Sequence, residues 1–200
     1  MVVETYRELA ARVRRRPPRL GQTRLVAIDG PSAAGKTFFA ARLAAAMPGT
    51  PLVHSDDLLD GWADQFTFWS RLEEWVLDPI AAGRPGRYRR YDWRRGEFSP
   101  EWIEVPPAPV LIMEGSSVAR AAARPRLSFA VFVDAPRQVR EARSLVRDGV
   151  TMQAHLTRWR EREERHFHRD ATADHADLIV AGAPEVPYDP AEEYVRVRAA

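Results

Sequence analysis

The chain of 200 residues contains no cysteine, which excludes disulfide bridges, a cysteine nucleophile and thiolate metal sites. Lysine is almost as scarce: of thirty basic residues one, Lys36, is lysine and the rest are arginine. A compositional bias towards Arg, Ala and Pro depletes lysine wherever a generic positive charge suffices, so the position that keeps one is informative. No apolar run approaches the roughly eighteen residues that cross a bilayer, and charge begins at Glu4. Neither a membrane span nor a signal peptide is expected, and a cytoplasmic location follows by default. An excess of charge is lacking too. Thirty cations against twenty-eight acids leave +2, although the pI is about 9.3. Few groups besides one Lys and five Tyr remain to lose protons in the alkaline range, so the high pI reports scarce lysine rather than a basic surface. Bulk charge therefore gives no reason to expect a nucleic-acid partner. The five histidines (His54, His155, His166, His168, His175) form no compact zinc-ligand pattern. His155, His166 and His168 are read as residues of a solvated helix.

What is present is a core. Hydrophobic residues make up 45% of the chain, and the length suits one domain over 1–200. Short apolar runs at 25–28, 51–54, 110–113, 128–133 and 176–180 read as buried strands. Between them, 37–47, 64–82, 136–146 and 151–169 carry helical spacing, and 2–13 reads as a lead-in helix. Five strands alternating with helices predict an α/β fold, a doubly wound five-stranded parallel sheet with helices on both faces. The stretch 83–106, dense in Arg, aromatics and Gly at its start, reads as an irregular excursion or a small hairpin. Residues 151–169 hold so many charged and His side chains that this helix is expected to project from the domain, with 147–170 as a helical lid. The proline-bearing tail is expected to end in a short helix.

Gly30-Pro31-Ser32-Ala33-Ala34-Gly35-Lys36-Thr37 satisfies the phosphate-loop pattern G-x-x-x-x-G-K-[ST], with a strand before it and a helix after it. Glycines let successive backbone N–H groups turn inward around phosphate oxygens, and the helix from Lys36 points its positive end at them. Lys36 is expected at the β/γ-phosphates and the Thr37 hydroxyl on Mg²⁺. Two acids follow the second strand. Asp56 is placed to take a proton from a substrate hydroxyl and to meet Mg²⁺ through water; Asp57 is its rival, and helix capping is the alternative use of either. Glu114 ends an apolar strand where a second Mg²⁺-associated acid belongs. Arg140, Arg143 and Arg147 share one helix face and can meet phosphates under a closing flap or stand in solvent paired with Glu141 and Asp148. Tyr91, Trp93 and Trp62 are candidates for stacking a flat substrate or, equally, for core and rim packing.

These segments together resemble the uridine kinase and phosphoribulokinase group of P-loop kinases. The likeness runs through Ile28 to Thr37, Ser55-Asp56-Asp57, Tyr91-Asp92-Trp93, Glu114-Gly115, Phe132-Val133-Asp134, Arg140 to Asp148 and Ala176 to Val180. It implies ATP on Gly30 to Thr37, Asp56 as base, Tyr91 at the acceptor, and Thr37, Asp56 and Glu114 around Mg²⁺. It also implies Arg140, Arg143 and Arg147 in the lid. The resemblance breaks where Asp60-Gly61-Trp62-Ala63-Asp64-Gln65-Phe66 replaces the nucleoside-binding Pro-Asp-Ala-Phe-Asp segment, and where Arg94-Arg95-Gly96 stands in place of the pyrimidine-reading histidine. The lid is also shorter after Gly149. Phosphorylation of a small-molecule hydroxyl is thus the leading expectation, with a nucleoside-like acceptor first and an antibiotic or sugar alcohol open. A nucleotide-dependent switch without transfer competes with it. Nucleic-acid binding through Arg84 to Arg95 ranks below both, and self-association into a homo-oligomer stays open.

Overall fold

The computed structural model describes residues 1–199. The chain opens with strand β1 (Val2–Thr5) and helix α1 (Tyr6–Arg15), not with one lead-in helix. Thr5 caps α1 by a reciprocal box: its side chain accepts from the Glu8 N–H while the Glu8 carboxylate accepts from the Thr5 N–H at 2.9 Å. The box sets the helix start, so Val2 to Glu4 lie ahead of it and extend. Strand β2 (Arg24–Asp29) leads through the glycine loop into α2 (Lys36–Ala45), and β3 (Leu52–His54) follows. The expected helix over 64–82 is broken into α3 (Trp69–Leu72), one π-helical turn (Glu73–Leu77) and α4 (Asp78–Ala81). Pro79 has no N–H for the ladder, and the Asp78 N–H reaches back to the Glu73 carbonyl, the wider spacing of a π-turn. The inward face survives the break, with Phe68, Leu72, Val76 and Ile80 buried.

The excursion is a hairpin, β4 (Gly86–Asp92) paired antiparallel with β5 (Glu97–Val105). Strands β6 (Val110–Glu114) and β7 (Leu127–Asp134), helices α5 (Arg137–Asp148) and α6 (Gln153–Asp170), and strands β8 (Leu178–Ala181) and β9 (Glu193–Ala199) complete the chain. The main sheet has the order β1-β9-β8-β7-β2-β6-β3. Its five-strand parallel part is β8-β7-β2-β6-β3; β9 and β1 add antiparallel to one edge and make seven. The tail therefore ends in a strand where a helix was expected. Glu4 holds this edge together: it accepts from Arg12 at 3.1 Å, from Arg196 at 2.6 Å and from the Tyr194 hydroxyl, tying β1, α1 and β9.

Both sheet faces are covered. On β2, Leu25 and Ala27 pack into one apolar layer and Val26 and Ile28 into the other, the period of two expected of a strand buried on both sides. Helix α6 does not project. Leu156, Trp159, Arg160 and Glu163 are buried against the domain, and Gln65 donates to the Trp159 carbonyl at 3.2 Å. Its inward face is partly polar because the surface it covers offers donors, which a count of charges along the helix does not reveal. His166 is likewise half-buried, stacked on Phe66 at 4.8 Å. Among the described residues no helix is long and apolar enough to cross a membrane.

Candidate functional site

Parallel pairing aligns the carboxyl ends of β2, β6 and β3: Ile28 and His54 both sit opposite Glu114. Ligands of open α/β sheets bind outside that edge, and here β2 is flanked by β6 on one side and β7 on the other, so the chain path reverses beside it. The loop leaving β2 is held from beneath by Asp29. This fully buried carboxylate accepts from the N–H groups of Gly30 (2.7 Å), Ser117 (2.8 Å) and Ala119 (2.8 Å). Only glycine fits at position 30: φ is +138°, and a Cβ would fall 2.1 Å from the Val133 carbonyl oxygen. Gly35, at φ 109°, turns the chain into α2, whose N-terminus faces the cavity above the loop.

Asp29 gives a pH-dependent prediction. Burial pushes it from an ordinary 3.8 up to about 6, against the opposing pull of its three N–H donors and of Lys36. Because the folded-state value is the higher one, its contribution to stability is complete below about pH 4 and is lost as pH rises through about 6. Between those limits, wild type is expected to lose at most about 3 kcal/mol relative to Asp29→Asn, which has no proton to release. Urea unfolding of both proteins across this range measures it; a difference that does not vary with pH would mean that Asp29 is ionised throughout.

Two cavities open above the sheet edge. The first, about 550 Å³, is lined by Ser32, Ala33, Gly35, Lys36 and Thr37 of the loop, by Arg143 and Arg147 of α5, and by Tyr6, Tyr188 and Tyr194. Lys36 is nearly buried, and its Nζ donates to the Pro31 carbonyl at 3.0 Å. Thr37 Oγ1 donates to Glu114 Oε1 at 3.1 Å, and His54 Nδ1 lies 2.6 Å from the same oxygen. That contact raises the His54 pKa above its ordinary value, against the effect of burial. Gly30, Pro31 and Ala34 shape the loop without lining the cavity; the Ala34 carbonyl sits where a side chain at Gly182 would clash.

The second cavity, about 480 Å³, has Asp56 at one side and three indoles, Trp62, Trp93 and Trp159, around it. Arg94, Asp148, Met152 and Leu156 complete its wall. Trp62 packs edge to face on Trp93 at 5.2 Å and on Trp159 at 5.6 Å, so the indoles form one assembly. Ser32 and Arg147 line both cavities and mark where the two meet. Asp56 is an exposed residue of this concave wall. Crowding there raises its pKa, with Glu114 and Glu163 acting in the same direction and Lys36 and Arg147 opposing.

Asp57 faces elsewhere. It pairs with Arg90 at 3.1 Å and accepts from the Tyr88 hydroxyl at 3.4 Å, anchoring the hairpin. Trp62 and Trp93 line the cavity with Asp56, but Tyr91 does not: it is buried, its ring 5.2 Å from that of Trp93 and its hydroxyl beside Gly61. The arginines of α5 divide three ways. Arg143 donates to the Gly182 carbonyl at 3.0 Å and the Ala33 carbonyl at 3.3 Å, bracing the loop. Arg147 makes a bidentate pair with Asp148, both bonds 2.8 Å, between the cavities. Arg140, expected with them at the lid, is buried with Nε donating to the Ala135 carbonyl at 3.0 Å, and lines neither cavity. Helical periodicity put the three on one stripe; the packing of α5 on the loop decides which part of the stripe faces the cavities. Sequence reasoning missed Trp159, Leu156 and Glu163. The apolar pair Leu156 and Trp159, three apart within a charged helix, was the signal available for its inward face.

Thr37 and the carboxylates of Glu114 and Asp56 are hard oxygen donors of the kind Mg²⁺ prefers. Among the described residues no three His, Cys, Asp or Glu side chains close on a cation, so these residues fit an ion whose remaining ligands are phosphate and water rather than a protein cage.

No protein-family model and no curated protein matches the chain. Solved structures do. One described as a possible uridine kinase from Bacillus stearothermophilus is 18% identical, with a TM-score of 0.62 over 78% of this chain and 88% of that one. A sugar kinase from Janibacter sp. HTCC2649 is 20% identical, with a TM-score of 0.45 over 70% of this chain and 77% of that one. The first likeness is one of fold, a mixed α/β arrangement with a largely parallel sheet; the second is too distant to add to it.

Proposed function

We propose that the protein is an ATP-dependent kinase that phosphorylates a hydroxyl of a small molecule. The observation that carries this reading is the junction of the two cavities at Ser32 and Arg147, with Lys36 and Thr37 on one side and Asp56 on the other. ATP is assigned to the loop cavity, its phosphates on the loop N–H groups and the N-terminus of α2. Mg²⁺, held by Thr37 and through water by Glu114 and Asp56, would offset phosphate charge. The acceptor is assigned to the indole-lined cavity, and its flat part to Trp62 and Trp93. Asp56 takes the hydroxyl proton as the acceptor oxygen bonds to the γ-phosphorus and the bond to the ADP oxygen breaks. Arg147 neutralises charge on the transferring group from between the cavities.

A nucleoside-like acceptor suits the indole walls best, with aryl-bearing antibiotics and sugar alcohols as the other members of a panel. Purified protein with Mg-ATP is expected to release ADP only when one class of acceptor is added. ATP binding without acceptor-dependent ADP across nucleosides, sugar alcohols and hydroxylated antibiotics would replace this reading with that of a nucleotide-dependent switch. Against the nucleic-acid alternative, Tyr88 and Tyr91 are buried, which leaves Trp93 as the exposed aromatic among the three it invokes.

A further inference from the structure

Glu163 is the most unusual group outside the residues assigned so far. It lies on α6, 1% exposed, and its carboxylate accepts four hydrogen bonds. Oε2 takes the Ser32 N–H at 3.0 Å; Oε1 takes the Ser32 hydroxyl at 2.6 Å, the Trp159 indole N–H at 2.9 Å and the Ser116 hydroxyl. Among the described residues no cation lies within ion-pair distance of it. A buried carboxylate without a countercharge is costly, and a side chain needed only for packing would be apolar at this position. The four donors offset the cost, and they come from particular places. Ser32 is the loop residue shared by both cavities, Trp159 is a wall of the acceptor cavity, and Ser116 follows β6. One carboxylate therefore joins the phosphate loop, through two hydrogen bonds from Ser32, to an indole of the acceptor wall, through one from Trp159.

We propose that Glu163 is a positioning residue that couples nucleotide binding at the loop to the acceptor wall, through Ser32 on one side and Trp159 on the other. The inference rests on the kinase reading for what each cavity holds, and it adds how they communicate. A nucleotide that orders Ser32 orders Glu163 with it, because the carboxylate takes both the N–H and the hydroxyl of that residue. The Trp159 indole then gains a fixed acceptor, and α6 is held against the domain. Coupling is reciprocal, so an acceptor seated on Trp159 tightens the loop around nucleotide by the same factor.

Hydrogen exchange with and without a non-hydrolysable Mg-ATP analogue tests this on the intact chain. In wild type, the analogue is expected to slow exchange in peptides from 30–37 and also in those from 153–163, each by roughly fivefold or more. Glu163→Gln places an amide NH₂ against one of the donors, and protection of 153–163 is expected to vanish while that of 30–37 persists. Ser32→Ala, which removes one donor and leaves the N–H, is expected to lie between the two and provides the answer if Glu163→Gln does not fold. Loop protection with unmoved α6 in wild type, or α6 protection undiminished in the variants, overturns the coupling. Failure of the analogue to protect 30–37 in wild type overturns instead the kinase reading on which it rests.

Discussion

Asp56→Asn is expected to lower phosphoryl transfer by at least about a hundredfold while leaving nucleotide affinity near that of wild type. The asymmetry comes from position. Asp56 lines the indole cavity and not the loop cavity, so its loss removes a base without removing a phosphate contact. Asn keeps the size and one acceptor oxygen but has no affinity for a proton at neutral pH. Crowding in the wall raises the Asp56 pKa, and Glu114 and Glu163 nearby raise it further, while Lys36 pulls it down. A base with a raised pKa binds the abstracted proton more firmly, and its deprotonated fraction rises at higher pH than for an ordinary aspartate. The wild-type rate should accordingly climb with pH over that window, and the acid limb should be missing from whatever activity Asp56→Asn retains. Acceptor-dependent ADP release across pH, with calorimetric titration of the ATP analogue, measures both parts. Turnover close to wild type in Asp56→Asn would remove the proposed base, and Asp57 does not replace it because Arg90 and Tyr88 of the hairpin already engage it.

Lys36→Arg is expected to cost on the order of a hundredfold or more in turnover, nearly as much as Lys36→Ala, although the charge is kept. Lys36 is 8% exposed, and its ammonium is folded back beneath the loop onto the Pro31 carbonyl. A compact point charge on a flexible stem can leave that carbonyl for a phosphate oxygen; a planar guanidinium is bulkier and less suited to the folded-back path that the nearly buried Lys36 side chain takes. All the other cations of the chain are arginine, so the bias that replaced lysine elsewhere stopped at the one place where shape matters as much as charge. Equal turnover for lysine and arginine at position 36 would return that count to chance. Loss of the analogue's binding in Lys36→Ala with retention in Lys36→Arg would separate the charge from its shape.

Local chemistry was the readable part. The glycine loop, the strand before it and the helix after it follow from backbone requirements that neighbouring residues state openly, and the five apolar runs appear as the five parallel strands. The acids ending β6 and following β3 were legible for the same reason, since a strand buried on both faces leaves its polar residues at its ends. The edge strands were less so. Val2 to Thr5 is short and becomes a strand by pairing with Glu193 to Ala199, nearly two hundred residues away, which itself lies between it and β8. The π-turn before Pro79 was hidden because an inward face of Phe68, Leu72, Val76 and Ile80 looks the same whether or not the ladder slips.

From its sequence alone this protein is determined to be an α/β domain with a phosphate loop, one lysine set in it and strand-end acids beside it, because those features depend on residues adjacent in the chain. Only the tertiary structure decided that Asp56 rather than Asp57 faces the indole cavity, that Arg140 and Tyr91 support the site from behind, and that Glu163 sits buried on the loop. Each of those outcomes depends on how α5, α6 and the hairpin rotate and dock against the sheet. Helical and strand periodicity place a side chain on a face, but the surface opposite that face belongs to residues distant in sequence, and it is their donors and cavities that select which side chain turns inward.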